Sequence, residues 1–298
     1  MKRAPLFVVL SAAGLLAASL PVAAQDLNWL SYQGYDVPFV PTPNEVVEGM
    51  LNLAGVKAGD ILYDLGCGDG RIVIAAAKRG AKATGIDIDP LRIDESNKNA
   101  AAAGLTGKVR FIQGNLFEAD FKDATVITMY LLTSVNLRLR PKLLAELKPG
   151  TRLVSHSFEM GEWLPDKTVV VTTGFGDERD IHFWTVPANV TGRWEWDVAD
   201  GSGGKQYTLE ADQQFQVVTA TAKEGSWPLN VSEIKLAGDA LSFKVDAETN
   251  GKMTSRLYEG KVTGDTITGT IRPAGNPKAA PAPWKAVRDP KTSISIAK

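Results

Sequence analysis

The amino-acid sequence predicts an α/β fold: a doubly wound, mostly parallel seven-stranded sheet, followed by a small all-β barrel or sandwich. Three observations carry this. Between about residues 41 and 187, short apolar runs alternate with helix-like stretches. A glycine-rich turn, Asp64-Leu-Gly-Cys-Gly-Asp-Gly-Arg71, joins the first of these runs to a helix. After Pro187 the helical periodicity stops and short alternating strands take over.

Taken in order, Asn44–Ala54 reads as a helix opening behind Pro43, since proline suits a first helical turn. Ile61–Leu65 is a short apolar strand of the kind a buried parallel sheet needs. Arg71–Arg79 follows as an Ala-rich helix with Ile72, Ala75 and Ala76 on one stripe, stopped by Gly80. Ala83–Ile88 is the second strand, Pro90–Ala103 the next helix, and Val109–Gln113 the third strand. Thr125–Leu131 and Arg152–His156 supply two more strands around a helix over Arg138–Leu147, whose Leu139, Leu143, Leu144 and Leu147 share a face. Thr168–Thr173 and Ile181–Val186 lie too close for a crossover helix, so they form an antiparallel pair at the edge of the sheet.

From Gly192 onward, Leu236-Ala-Gly-Asp-Ala-Leu241 and Val262-Thr-Gly-Asp-Thr-Ile267 each read as two strands around a tight turn. Tyr207–Leu209, Phe215–Val217, Leu241–Val245 and Leu257–Lys261 add alternating positions, enough for about eight strands. Pro273–Pro283 is a loop, from which Trp284 docks back on the barrel. Trp194, Trp196, Trp227 and Trp284 read as core or rim aromatics.

The 298-residue chain carries a formal net charge of −1, so it has no overall basic excess to attract nucleic acid. With one cysteine, Cys67, it can form no internal disulfide, and His156 and His182 lie in no metal-ligand spacing. Lys2 and Arg3, the apolar Leu6–Leu20 and the small residues Val22-Ala23-Ala24 have the layout of a cleavable leader. The expected division is a signal peptide at 1–24, an α/β domain at 25–189 and a β-rich domain at 190–298. The expected location is periplasmic or secreted, without stable membrane insertion after cleavage; an uncleaved anchor is the alternative.

The chemistry concentrates at the glycine turn. Glycines let the backbone bend sharply and approach a ligand, and the helix start presents free N–H groups. The spacing Gly66-x-Gly68-x-Gly70 is not that of a pyrophosphate loop, for Arg71 stands where a third glycine would be needed. Asp64, two residues before the first glycine, would repel pyrophosphate and suits a zwitterionic, sulfonium-bearing ligand. Asp87, at the end of the second strand, is placed to accept from ribose hydroxyls, and Asn115, after the third, to bond an adenine amino group. Cys67 has no base beside it and reads as a small loop filler.

These features resemble the class I, seven-β-strand S-adenosylmethionine (SAM)-dependent methyltransferases, whose sheet is Rossmann-like. A longer stretch narrows the resemblance: Val37-Pro-Phe-Val-Pro-Thr-Pro43, Tyr63–Arg71 with Ile72-Val-Ile, Met129-Tyr-Leu-Leu-Thr-Ser-Val-Asn136, and Leu143–Ser157. Over residues 37–187 the chain is similar to the archaeal broad-specificity protein-lysine methyltransferases and the mitochondrial lysine methyltransferases that act on part of the ATP synthase. The resemblance implies SAM as cofactor, with Thr42 and Asp64 near its amino-acid end, Gly66 and Gly68 beneath it, Asp87 on the ribose and Asn115 on the adenine. It implies a methyl acceptor at Tyr130, with Leu131, Thr133 and Asn136 following on that loop, and a partner protein offering an accessible lysine. His156 reads either as a lining of the acceptor side or as a structural histidine.

Methyl transfer needs a neutral amine held in line with the methyl–sulfur bond, which placement and desolvation supply without an obligatory carboxylate base. Since SAM is made in the cytoplasm, a leader raises a question of supply. Two readings therefore stand: an amine methyltransferase acting most readily on protein lysine, or a non-catalytic envelope protein that binds SAM or a related nucleoside while its β-module binds a partner.

Overall fold

The computed structural model describes residues 36–198, 205–249 and 252–296; the leader expected at 1–24 lies outside them. In chain order the first region comprises α1 (Asn44–Leu53), β1 (Ile61–Leu65), α2 (Arg71–Lys78), β2 (Lys82–Asp87), α3 (Pro90–Ala102), β3 (Val109–Gln113), β4 (Val126–Met129), α4 (Thr133–Glu146), β5 (Arg152–His156), β6 (Lys167–Thr172) and β7 (Glu178–Thr185). They build a seven-stranded sheet in the order β3-β2-β1-β4-β5-β7-β6. The pairs from β3 to β5 are parallel, and β7 runs antiparallel to both β5 and β6. Strand order reverses between β1 and β4, and a crevice for a ligand opens beyond the carboxyl ends of strands at such a point.

The apolar runs form strands because both faces of the sheet are covered. All four residues of β4 are buried. Val126 and Val154 join a core with Val46, Val47, Met50 and Leu51 of α1 and with Ile72, Val73 and Ala76 of α2. At the base of the sheet, Asp60 is buried and accepts from the Thr125 hydroxyl at 2.9 Å and from Arg152. Burial alone would raise its carboxyl, but the Lys57 N–H at 2.9 Å, Thr125 and Arg152 hold it below the usual range.

In the sheet region β4 is shorter than read, ending at Met129, and β7 starts earlier, at Glu178, but the largest difference from the sequence reading is in a helix. α4 begins at Thr133, not Arg138, so Thr133 and Asn136 stand on a helix rather than a loop. Pro141, which suggests a nearby helix start, sits inside the helix. The first turn instead closes on the Leu132 carbonyl, which accepts from Val135 and Asn136 N–H at 2.9 and 3.0 Å.

The second region is a closed eight-stranded barrel: β8 (Gly192–Val198), β9 (Lys205–Gln214), β10 (Val217–Glu224), β11 (Trp227–Ala237), β12 (Ala240–Thr249), β13 (Lys252–Thr263), β14 (Thr266–Pro273) and β15 (Ala282–Arg288). The Gly238-Asp239 and Gly264-Asp265 hairpins form as read, and Gly225-Ser226 makes a third, with the glycine φ at 59°, 57° and 58° respectively. Phe215, read as part of a strand, instead occupies the turn between β9 and β10, at φ 55°. The interior is aromatic. Trp196 stacks on Tyr207 at 5.6 Å, Phe243 stacks on Tyr258 at 5.0 Å, and Trp284 meets both Phe243 and Tyr258 edge-on. Trp194, Trp196 and Trp284 are buried, whereas Trp227 is exposed.

Candidate active site

The glycine turn leaves β1 and enters α2 with Gly66, Gly68 and Gly70 all at positive φ (77°, 54° and 80°). Side chains rarely adopt that region, and there is also no room for them. A Cβ on Gly66 would lie 2.8 Å from Leu131, and one on Gly68 would overlap the Phe39 ring. The turn is held from both sides. The Ile86 carbonyl accepts from Gly66 and Cys67 N–H at 2.8 and 3.0 Å. The α3 side chains Ser96 and Asn99 donate to the carbonyls of Gly68 and Asp69 at 2.8 and 2.9 Å.

Arg71 gains a definite role. Its Nε donates to Asp69 at 2.9 Å and its Nη1 to the Thr42 carbonyl at 2.7 Å, so it ties the Phe39–Thr42 segment to the turn. Phe39 lies under the Arg92 guanidinium, 4.5 Å from its ring centroid. The side chains that hold the turn are polar residues on α3, and nothing in their own spacing announces that task.

Asp64 and Asp87 end their strands on either side of the turn. Asp87 accepts from Gly68 N–H at 2.8 Å and from Asp89 N–H at 3.0 Å, so it is oriented at the strand end, and burial pushes its carboxyl up. Asp64 is buried and accepts from the Thr128 hydroxyl at 2.7 Å. Burial pushes its carboxyl up to about 7, and the charges that act on it, Asp87 and Asp69, are both negative. A corner with the buried Asp64, the half-buried Asp87 and glycine backbone, in which the charges acting on Asp64 are negative, is built for a ligand bearing positive charge.

Asn115 lies beyond β3 as expected, but its side chain is engaged locally. Its Oδ1 accepts from Phe117 N–H at 3.0 Å and its Nδ2 donates to Glu118 at 3.1 Å. Cys67 is buried, and desolvation pushes its thiol far up, which suits a filler.

A second, aromatic corner sits at the ends of β4 and β5. Tyr130 stacks on His156 with centroids 3.8 Å apart and on Phe158 at 5.9 Å. His156 is buried; its Nδ1 meets the Thr42 hydroxyl at 3.3 Å and its Nε2 has no hydrogen-bond partner among the described residues. Burial, reinforced by Arg179, lowers its pKa to about 4, so the ring is neutral near pH 7. Asn136 does not open onto this corner. It is fully buried in α4, and its Nδ2 donates to the carbonyls of Phe158 and Glu159 at 3.2 and 3.4 Å. Thus Thr42 is brought to the aromatic corner through His156 and to the glycine turn through Arg71. Phe158 and Thr128 went unread in the sequence, though a polar Thr128 within the apolar β4 run was a signal.

The sequence of an archaeal relative decides the family. A protein-lysine N-methyltransferase of Saccharolobus islandicus (strain REY15A) is 53% identical over 140 residues, 46% of this chain and 87% of that protein. This chain belongs to the protein-lysine methyltransferase family. The model of the ANTKMT methyltransferase domain matches residues 64–167 of this methyltransferase. A lysine N-methyltransferase of Mus musculus, named for a component of the ATP synthase, is 34% identical over 132 residues, 44% of this chain; the match spans only about half (53%) of that relative. A solved structure described as an RNA methyltransferase from Salinibacter ruber, in complex with S-adenosyl-L-homocysteine, is 53% identical and covers 51% of this chain and 96% of that one, with a TM-score of 0.48. The methyltransferase's cofactor is SAM, and the buried Asp64, the half-buried Asp87 and the glycine turn fit a group that carries a sulfonium and an ammonium.

Proposed function

We propose that this chain methylates the side-chain amine of lysine on a protein acceptor. The observation that carries this reading is the pairing of two corners at one sheet edge: acids and glycines at the ends of β1 and β2, and neutral aromatics at the ends of β4 and β5. In this reading Asp64 and Thr42 hold the amino-acid end of SAM, Gly66 and Gly68 lie beneath it, Asp87 takes the ribose and Asn115 borders the adenine. When bound, SAM supplies an electrophilic methyl group on a positively charged sulfur.

The chain's own task is placement. Tyr130, Phe158 and neutral His156 offer an apolar, uncharged surface on which an amine sheds its proton more readily than in water. Their ring faces also attract the cationic form on approach. Tyr130 borders the acceptor, while Asn136 acts one step behind it by fixing the Phe158 backbone. Thr42 couples the corners, since its hydroxyl meets His156 and its carbonyl accepts from Arg71.

We infer, too, that the methyltransferase domain ends at residue 189, with the barrel as an appended module, and that the leader layout of the first 24 residues sends the chain to the cell envelope. Incubating the chain with radiolabelled SAM and fractionated cells tests both points. Label is expected on lysine of an envelope protein and is expected to vanish with Asp64→Ala. Label that survives Asp64→Ala, or tight SAM binding with no transfer, overturns the enzymatic reading; acceptors confined to the cytoplasmic fraction overturn the location.

A further inference from the structure

The aromatic corner rests on a loop that the barrel holds. Residues 157–166 leave β5 through a tight turn, with Ser157 at φ 61° and Phe158 N–H donating to the His156 carbonyl at 2.8 Å. A non-glycine residue there is strained, and the strain brings Phe158 back towards the ring that His156 already touches.

The rest of the loop is pinned carbonyl by carbonyl. The Phe158 carbonyl accepts from Ser155 Oγ at 2.6 Å, and the Met160 carbonyl from Arg140 Nη1 at 2.9 Å. The Trp163 carbonyl accepts from Trp184 Nε1 and the Leu164 carbonyl from Gln216 Nε2, both at 2.8 Å. Gln216 belongs to the barrel, in the β9–β10 turn. Beside it, the Phe215 ring stacks on Trp163 with centroids 5.8 Å apart and planes 12° apart, and the Arg140 guanidinium lies 5.1 Å from that ring.

The turn itself indicates what the ring does. Three other two-residue turns of the barrel place glycine at their first central position, at φ 57–59°. Phe215 occupies the equivalent position at φ 55°, where a side chain is strained. The barrel accepts that strain at the turn whose ring reaches the loop under the acceptor corner.

We propose that Phe215 and Gln216 are positioning residues for the methyl acceptor: they clamp residues 157–166 so that Phe158 keeps its place beside Tyr130. This rests on the reading of the Tyr130 corner as the acceptor site. Phe215 touches neither acceptor nor cofactor and acts through Trp163 and Arg140. The barrel is thereby a working part of acceptor binding.

The test uses the full chain with Phe215→Gly, which removes the ring while relaxing the backbone, Phe215→Trp, which keeps a ring, and Gln216→Ala. Hydrogen exchange of the 158–164 amides is measured alongside S-adenosylhomocysteine affinity and steady-state methylation of lysozyme as a lysine-bearing probe. In Phe215→Gly the loop amides are expected to exchange about tenfold faster with cofactor affinity unchanged. The KM for the probe is expected to rise about fivefold with kcat nearly constant, and Phe215→Trp to restore both. Loop exchange as slow as in the parent chain overturns the clamp, as does an unmoved probe KM in a loosened loop. Exchange is read without acceptor, so faster exchange in a chain that methylates no lysine supports the clamp and overturns the proposed activity instead.

Discussion

Burial at the end of β1 takes water away from the Asp64 carboxyl, and the Thr128 hydroxyl replaces only part of it. With Asp87 and Asp69 nearby, the group titrates at about 7 rather than in the usual carboxylate range. An acid whose folded pKa is raised stabilises the fold at low pH and loses that contribution as pH rises, here from about 4 through about 7. Ligand binding has the opposite sign, because a cationic ligand wants the ionised form. SAM affinity is therefore expected to rise roughly tenfold between about pH 5.5 and 7.5, a range below most of the titration of the ligand's own amine. Asp64→Asn keeps the shape and removes the titration: affinity falls and flattens, while the ligand-free chain gains about 1–3 kcal/mol at about pH 8. Calorimetry of binding and urea unfolding read the two effects. A flat affinity profile in the parent chain sinks the assignment of Asp64 to the cationic end of the ligand.

At the scale of elements, the barrel's hairpins offer an internal control. Gly225, Gly238 and Gly264 share the same turn position and nearly the same φ, so alanine brings similar backbone strain to each. Only Gly238 of the three packs on the sheet region, where a Cβ would lie 3.0 Å from the Gly150 backbone; the other two face open space. Gly238→Ala is expected to destabilise by about 1–2 kcal/mol more than Gly225→Ala or Gly264→Ala, read from urea midpoints. Equal losses would mean that the seam yields without cost. The glycines at 238 and 264 were legible in the sequence because Gly-Asp between alternating runs has a turn chemistry of its own. Phe215 was not legible: its conformation is imposed by Trp163 and Arg140, fifty or more residues away, against its own preference. The same contrast separates β1, β3 and β5, whose ends were read to the residue, from α4. The three strands are short apolar runs bounded by polar residues and glycine. The first turn of α4 carries the polar Thr133, Ser134 and Asn136, of which Asn136 is buried only because the Phe158–Glu159 backbone crosses it. At the site, Asp64 and Asp87 were readable from position along a strand, whereas the Thr42–His156 contact joins residues 114 apart and needs the fold to exist.

For the molecule as a whole, the question is whether sheet and barrel stand or fall together. Their seam combines the Trp163–Phe215 stack, the Gln216–Leu164 bond, the Ala188 N–H to Gly238 carbonyl bond at 2.8 Å and the close Gly150–Gly238 approach. These contacts come from two separate barrel turns, so the barrel is fixed at two points rather than hinged on one. A seam of buried aromatics and backbone bonds loses all of its energy when either side unfolds, which makes unfolding of the two regions mutually costly. A ligand that binds only the folded sheet then protects the barrel as well. With S-adenosylhomocysteine at a hundred times its dissociation constant, the stabilisation is about 2.7 kcal/mol, or about a hundredfold in the slowest exchange rates. The slowest amides of β12 and β13, strands that carry none of the proposed cofactor residues, are expected to slow by the same factor as those of β1 and β4. Barrel amides that keep their rates when the sheet is saturated would show two independent folding units, and the 157–166 loop would then be clamped only by local contacts. Matching factors would make the barrel's stability a direct reader of cofactor occupancy.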